Sequence, residues 1–250
     1  MYNKYKIAKF LLQEGAEVDQ EDCFGETPLV RDIKKENLNM VDLLISYGAN
    51  VDFLGQTSLI KASMYGSRKM VEMLVERGAY IDVLDKEGRS ALYWASMFNR
   101  YNILDYLLKK GADVNKGYAG RYPLCIAFGR GNSDIVERIL KMDNCNLEVE
   151  DAQMRTPLLI SIVGNYFDFA IDLIQRGAYV NHIDRFGKSV KDYIEDKKVM
   201  LEKERKGYDL DFYDEIMKDR SNIREDIREK VNYLEYILRE KNAVKDIGGF

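Results

Sequence analysis

The chain is poor in the residues around which most catalytic and secreted proteins are organised. His182 is the one histidine among 250 residues, which removes Ser-His-Asp, Cys-His and multi-histidine zinc chemistry from consideration. The cysteines, Cys23, Cys125 and Cys145, are odd in number, widely separated and lack metal-ligand spacing. They read as reduced thiols of a reducing compartment rather than as a disulfide frame. No stretch approaches the roughly 20 apolar residues that a membrane span needs, and the opening "MYNKYKIAKFLLQEGAEVD" carries no long apolar run of the kind that marks a signal peptide. Neither sign of charge dominates. With 38 basic and 42 acidic residues and a net charge of −4, the chain lacks the basic excess of a general nucleic-acid binder. No G-x-G-x-x-G or G-x-x-x-x-G-K-[ST] loop occurs, and the many carboxylates suit a solvated surface. The resulting expectation is a cytoplasmic protein that is not an enzyme, with no cofactor, no metal, no small-molecule substrate, and no nucleic acid or membrane partner.

What the chain has in quantity is repetition. The fragments "EGAEVD", "YGANVD", "RGAYID", "KGADVN" and "RGAYVN" put Gly15, Gly48, Gly78, Gly111 and Gly177 at matching points about 33 residues apart, with a shorter step between Gly48 and Gly78. "KMDNCNLEV" fills the one slot that lacks its glycine. A second signature runs in step: "GETPL", "GQTSL", "GRSAL", "GRYPL", "MRTPL" and "GKSV". Thr27, Thr57, Ser90 and Thr156 stand where a helix N-cap belongs, because a hydroxyl there accepts from the free N–H groups of the first turn. Pro28, Pro123 and Pro157 take the first helical position, where a missing N–H is harmless. Two short apolar segments follow in each period, too short to be stable alone but suited to a packed pair, and the glycine ends the second. No single unit can bury its apolar faces, so the units must stack.

In period and in its T-P-L motif the chain resembles the ankyrin-repeat family over roughly residues 2–194. The resemblance implies an all-α fold, an ankyrin α-solenoid of stacked helix-turn-helix units with short finger loops, closed by C-terminal helices. Full repeats are expected at 22–51, 52–84, 85–116, 117–150 and 151–183, after a half repeat at 1–21 and before a degenerate cap at 184–194. A charged helical tail at 195–250 completes the chain. The family's histidine after T-P-L is replaced by Val30, Ile60, Tyr93, Cys125 and Leu159, so a greasier core is expected there. Met154 stands where the finger glycine belongs, so that turn must change geometry or carry strain. "VDFLGQT" implies a stunted finger. The N-terminal segment aligns with a second helix only, leaving Ile7, Leu11 and Leu12 on a face that wants a partner. Either residues preceding Met1 exist or this end tolerates an imperfect cap.

In the tail both signs of charge interleave, and Ile223, Ile227, Val231, Leu234 and Leu238 make one apolar stripe. Ser221 is a candidate cap for a final helix, and Gly207 with "GYDLDFYDE" a hinge. The stripe suits a cap on the last repeat or, alternatively, a partner-binding arm.

The resemblance further implies that finger loops and first helices line a concave surface where partner proteins bind. The solvent slots of the first helices would hold Arg31, Lys61, Trp94, Ile126 and Ile160. A second slot pair would include Met64–Tyr65, Met97–Phe98 and Gly129–Arg130. Trp94, Met97, Phe98 and Tyr65, with finger residues Phe53 and Tyr118, have the composition of a binding hot spot, unless the tail or neighbouring repeats cover them. Arg89, Arg121, Arg155 and Lys188 precede successive caps and form a basic file with Arg130 nearby. They would meet an acidic segment of a partner, or pair with finger acids such as Asp85, Asp151 and Asp184. Those aspartates sit in D-x-x-G turns, where a carboxylate accepts backbone N–H bonds. The function expected is a non-enzymatic protein–protein interaction module. Narrower alternatives are a bacterial immunity or antitoxin protein or a secreted host-directed effector, since abundant Lys, Asn, Tyr and Ile point to a bacterial source. A third is an enzyme activity in the tail.

Overall fold

A computed structural model describes residues 2–52, 58–206 and 218–247, with side chains over 4–52, 58–201 and 225–241. Phe53, the Thr57 cap, most of the shortened finger "VDFLGQT", the Gly207 hinge and the Ile223 side chain lie outside the described residues. Helices make up the regular structure of those residues, with only two isolated bridges, Leu84 to Ser90 and Ile183 to Ser189, each pinching the base of a finger. The chain divides into two compact units, residues 1–145 and 146–250.

The first unit begins with α1 (Tyr2–Gln13) and continues as helix pairs: α2 (Pro28–Lys34) with α3 (Leu38–Ser46), α4 (Ser58–Tyr65) with α5 (Arg68–Glu76), α6 (Ala91–Met97) with α7 (Tyr101–Lys109), and α8 (Pro123–Arg130) with α9 (Ser133–Leu140). Hydroxyls start two of the first helices: Thr27 Oγ1 accepts from Val30 N at 3.4 Å and Ser90 Oγ from Tyr93 N at 3.1 Å. At the far end of a pair, Gly78 takes φ +85°, which lets Ala79 N donate back to Leu74 O at 3.0 Å and closes α5. First helices pack on first helices and second on second, with the first-helix row the closer of the two. Leu29, Ala62, Leu74, Ala95 and Leu107 are fully buried between the rows. The slot where the family carries histidine is closed as expected, with Val30 and Ile60 at 2% exposure and Tyr93, Cys125 and Leu159 also buried.

Carboxylates tie the first four turns in succession. Asp19 accepts from Asn50 N at 3.0 Å, Asp52 from Tyr80 N at 2.9 Å and Asp82 from Asp113 N at 2.9 Å. Each acid sits just after one glycine turn and holds the backbone just after the next, so the repeat period is fixed by hydrogen bonds as well as by apolar packing. α1 has no such cover on its apolar side: Ile7 and Leu11 are half exposed, as is Phe10.

In the second unit α10 (Pro157–Val163), capped by Thr156, pairs with α11 (Phe167–Gln175). α12 (Val190–Lys206) packs on α10, and α13 (Lys218–Ile247) packs on α11 and α12. Val190, Ile194, Val231, Leu234 and Leu238 are buried there, and Lys230 reaches Asp168 of α11 at 2.8 Å. Val231, Leu234 and Leu238 of the expected stripe are therefore buried in the packing of α13 on α11 and α12. Ser221 does not start this helix, which begins at Lys218 and runs through it. Met154 keeps the left-handed geometry of the glycine it replaces, at φ +59°, and so carries the anticipated strain.

Candidate functional site

In the first unit the first-helix row and the fingers beside it carry most of the predicted contact residues. α6 is the centre. Its cap Ser90 fixes the first turn and so directs Trp94, one turn along, back toward finger residues 85–90. There the indole Nε1 donates to Asp85 Oδ2 at 3.2 Å. The Arg89 guanidinium lies 4.5 Å from the Trp94 ring centre, and Phe98 stacks on Trp94 with centroids 5.7 Å apart and planes 12° from parallel. Tyr93 meets the indole edge-on from the core. The large side chains of α6 thus divide. Tyr93 is core, Trp94 and Met97 are half-buried, and Phe98 is 42% exposed.

Asp85 organises the finger. It accepts from Glu87 N at 3.1 Å, from Arg89 N at 2.9 Å and from Arg89 Nε at 2.8 Å, besides the indole. Burial pushes its pKa upward, but these donors outweigh burial and hold the carboxyl below its ordinary value. Asp22 does the same in the first finger, accepting from Phe24 N and Glu26 N, and backbone hydrogen bonds hold its carboxyl low. Tyr118, 70% exposed, stands on the next finger with its N–H donating to Gly88 O at 3.1 Å.

The basic file resolves unevenly. Arg89 is committed to Asp85 and Glu87, and in the second unit Arg155 is committed to Asp151 at 2.6 Å. Lys188 pairs with Asp196 of α12 at 2.6 Å, not with Asp184, and sits over the Tyr193 ring. Arg121, half-buried, and Arg130, exposed, make no ion pair among the described residues. Tyr65 is half-buried at the end of α4. Ile160, expected in a solvent slot, is buried at 5% because α12 packs on α10.

Two features escaped the sequence. Phe24, at the tip of the first finger, is 82% exposed. Among the described residues, that finger, the 85–90 finger and Val30, Ile60, Met64 and Trp94 line a groove of about 320 Å³. An aromatic residue in a D-x-x-G turn, Asp22 to Gly25, was the available signal for Phe24.

Among the described residues no group of three or more His, Cys, Asp or Glu is placed to hold a metal ion, and no helix is long and apolar enough to cross a membrane. Residues 1–85 match the family description "Ankyrin repeats (3 copies)" and residues 87–116 match "Ankyrin repeat". The chain is 34% identical over 104 residues to alpha-latrocrustotoxin-Lt1a of Latrodectus tredecimguttatus, covering 38% of this chain and 7% of the toxin. It is 30% identical over 100 residues to ankyrin repeat protein nuc-2 of Neurospora crassa, covering 40% and 9% respectively. With a putative ankyrin repeat protein of Rickettsia bellii it shares 42% identity over 50 residues, 20% of this chain and 14% of that one. The chain thus spans only a small part of the length of the curated relatives it matches. Paired helices ended by left-handed glycines, hydroxyl caps before the first helices and acids linking successive turns coincide with those matches, and residues 1–116 of the chain belong to the ankyrin-repeat family.

Proposed function

We propose that this chain is a non-enzymatic module that captures a partner protein on the first-helix and finger face of residues 22–130. Ankyrin repeats are protein–protein interaction modules as a class, and this reading places the contact. The observation that carries it is the stacked Trp94–Phe98 pair on α6, open on its Phe98 side, with Tyr118 exposed on the adjoining finger. Aromatic side chains held rigid by their own neighbours lose little conformational freedom on binding, which is why such residues dominate interface energetics. The first helices pack on one another more extensively than the second helices do, which makes their face a firm platform for a partner. Arg121 and Arg130, free of ion pairs among the described residues, supply positive charge at one end of the face.

The test is capture from extracts of the source cell, read by mass spectrometry. The wild-type chain is compared with Phe98→Ala and Tyr118→Ala. Tyr118 is 70% and Phe98 42% exposed, so helical content should stay near wild type and the melting temperature should fall only slightly while a captured protein is lost. A protein retained equally by both variants would sink the assignment of this face.

A further inference from the structure

α1 carries an apolar face that the same slots of later repeats bury. Counting back from the glycine turns, Ile7 and Leu11 stand where Met70 and Leu74 stand in α5, and where Ile103 and Leu107 stand in α7. Those four are at most 2% exposed, in repeats where a first helix packs on the second. In α1 the slots are open: Ile7 is 55% and Leu11 50% exposed, with Phe10 beside them at 59%. The half-buried positions of α1 are Tyr5, Ala8 and Leu12, which the helical period puts on a different face.

The charges at the ends of this face say what covers it. Lys4, Ile7, Leu11 and Glu14 are separated by three, four and three residues, which sets them in one row along a helix. Glu14 N donates to Phe10 O at 3.0 Å, so the helical turn continues through the last of them. The row thus runs from a cation through two apolar side chains to a carboxylate. Lys4 and Glu14 are exposed and make no ion pair among the described residues. They stand about 15 Å apart along the axis, too far to meet each other. Lys6 and Lys9 fall outside the row. A two-fold axis crossing the helix between Ile7 and Leu11 sets Lys4 of one copy opposite Glu14 of another, twice, and Ile7 opposite Leu11, twice. Parallel pairing would instead set Lys4 against Lys4 and Glu14 against Glu14. Charge therefore selects the antiparallel arrangement, and such a contact closes with two copies.

We propose that α1 pairs antiparallel with α1 of a second copy of this chain. Ile7, Phe10 and Leu11 form the seam, and a Lys4–Glu14 pair closes each end. The second copy takes the place that a first helix takes in the other repeats. This contact is separate from the first-helix and finger face and does not depend on the function proposed for it. Three apolar side chains from each copy make a small patch, and small interfaces are transient, so the dissociation constant should be on the order of 100 μM.

The experiment is sedimentation velocity on the intact chain, over two decades of concentration around that value. Wild type should pass from monomer toward dimer. Lys4→Glu and Glu14→Lys should each weaken association about tenfold, because one reversal alters both symmetric pairs. The double exchange, Lys4→Glu with Glu14→Lys, should regain it. An equimolar mixture of the two single variants should regain it too, since one copy then carries only acids on the row and the other only cations. Leu11→Ser should abolish it. All these side chains are exposed, so every variant should keep wild-type helical content. A chain that stays monomeric over this range, its α1 left to a different protein, would overturn the pairing. So would single reversals that associate as wild type does, which is what a parallel pair would give, or a double exchange that fails to recover. Association that survives Leu11→Ser but is lost on Phe98→Ala would also overturn it, by moving the contact to the first-helix face.

Discussion

The carboxylate of Asp85 offers the sharpest test of how the fingers are built. It is 14% exposed and receives four donors, from Glu87 N, Arg89 N, Arg89 Nε and Trp94 Nε1. Asp85→Ala removes all four. Glu87 is exposed and its N–H can turn to water, whereas the Arg89 and Trp94 groups are half-buried. Counting about 1 kcal/mol for each half-buried hydrogen bond, and little for the exposed one, gives a loss of about 2–3 kcal/mol. Asp85→Asn keeps Oδ1, and with it the two backbone bonds that shape the turn, but sets an amide N–H₂ against two donors. Its cost should be about half. In urea unfolding followed by circular dichroism, a loss of 2–3 kcal/mol moves the midpoint down by about 1 M. Trp94, the sole tryptophan, reports the same finger by fluorescence. Because the Asp85 carboxyl is held below its ordinary 3.8, its share of stability is present above that pH and fades as pH falls through the lowered value. The gap between wild type and Asp85→Asn should therefore close in acid. An alanine variant that loses under about 0.5 kcal/mol would refute the account of the finger. An asparagine variant as damaged as the alanine would show that the charge, not the turn, is what matters.

Three further substitutions probe backbone strain and a half-buried phenol. Met154→Gly should stabilise the second unit by about 0.5–1 kcal/mol, since Met154 occupies φ +59° and its side chain is 45% exposed. Gly88→Ala should do the reverse, because φ is +80° and a new Cβ would stand 2.9 Å from Tyr118 Cβ. Equal and opposite shifts in urea midpoint would fit, and an unchanged or destabilised Met154→Gly would not. Tyr193 donates to the buried Asp184 carboxylate at 2.6 Å, and burial together with that acceptor pushes its hydroxyl up to about 12. The phenol's contribution is thus complete below its ordinary value near 10 and is lost as pH climbs toward 12. Tyr193→Phe should cost about 1–2 kcal/mol at neutral pH. It should also flatten the alkaline fall in stability, and a variant with the wild-type alkaline profile would contradict this.

What the sequence made legible was chemistry completed within a few residues. A hydroxyl three positions before an N–H, a proline at a first turn and a glycine after a last turn are local statements, and Thr27, Ser90, Thr156 and Gly78 act as their neighbours dictate. The finger aspartates were legible for the same reason, since each reaches only two and four residues ahead. Position in a repeat predicted exposure only where neighbouring repeats are all that surrounds a slot. Ile160 broke the rule because α12 packs on its helix, and nothing in a repeat register says where a tail will lie. The two fates offered for the arginines were also beyond the sequence. A guanidinium can reach the acid four residues back or a partner ahead, and only the fold shows that Asp85 and Asp151 are within reach and nearly buried.

That pairing constrains how any acidic partner could be read. Arg89 holds Asp85 and Glu87 while it covers Trp94. A carboxylate that drew Arg89 away would leave Asp85, 14% exposed, without its strongest donor and would loosen the turn that orients the indole. Such an exchange trades one half-buried ion pair for another and gains little net free energy. Arg121 and Arg130 make no ion pair among the described residues and carry no such obligation there. Electrostatic recognition is therefore cheapest at the cations that the repeat does not need for its own turns. It follows that charge reversal at Arg89 should lower stability and binding together, whereas reversal at the exposed Arg130 should lower binding alone.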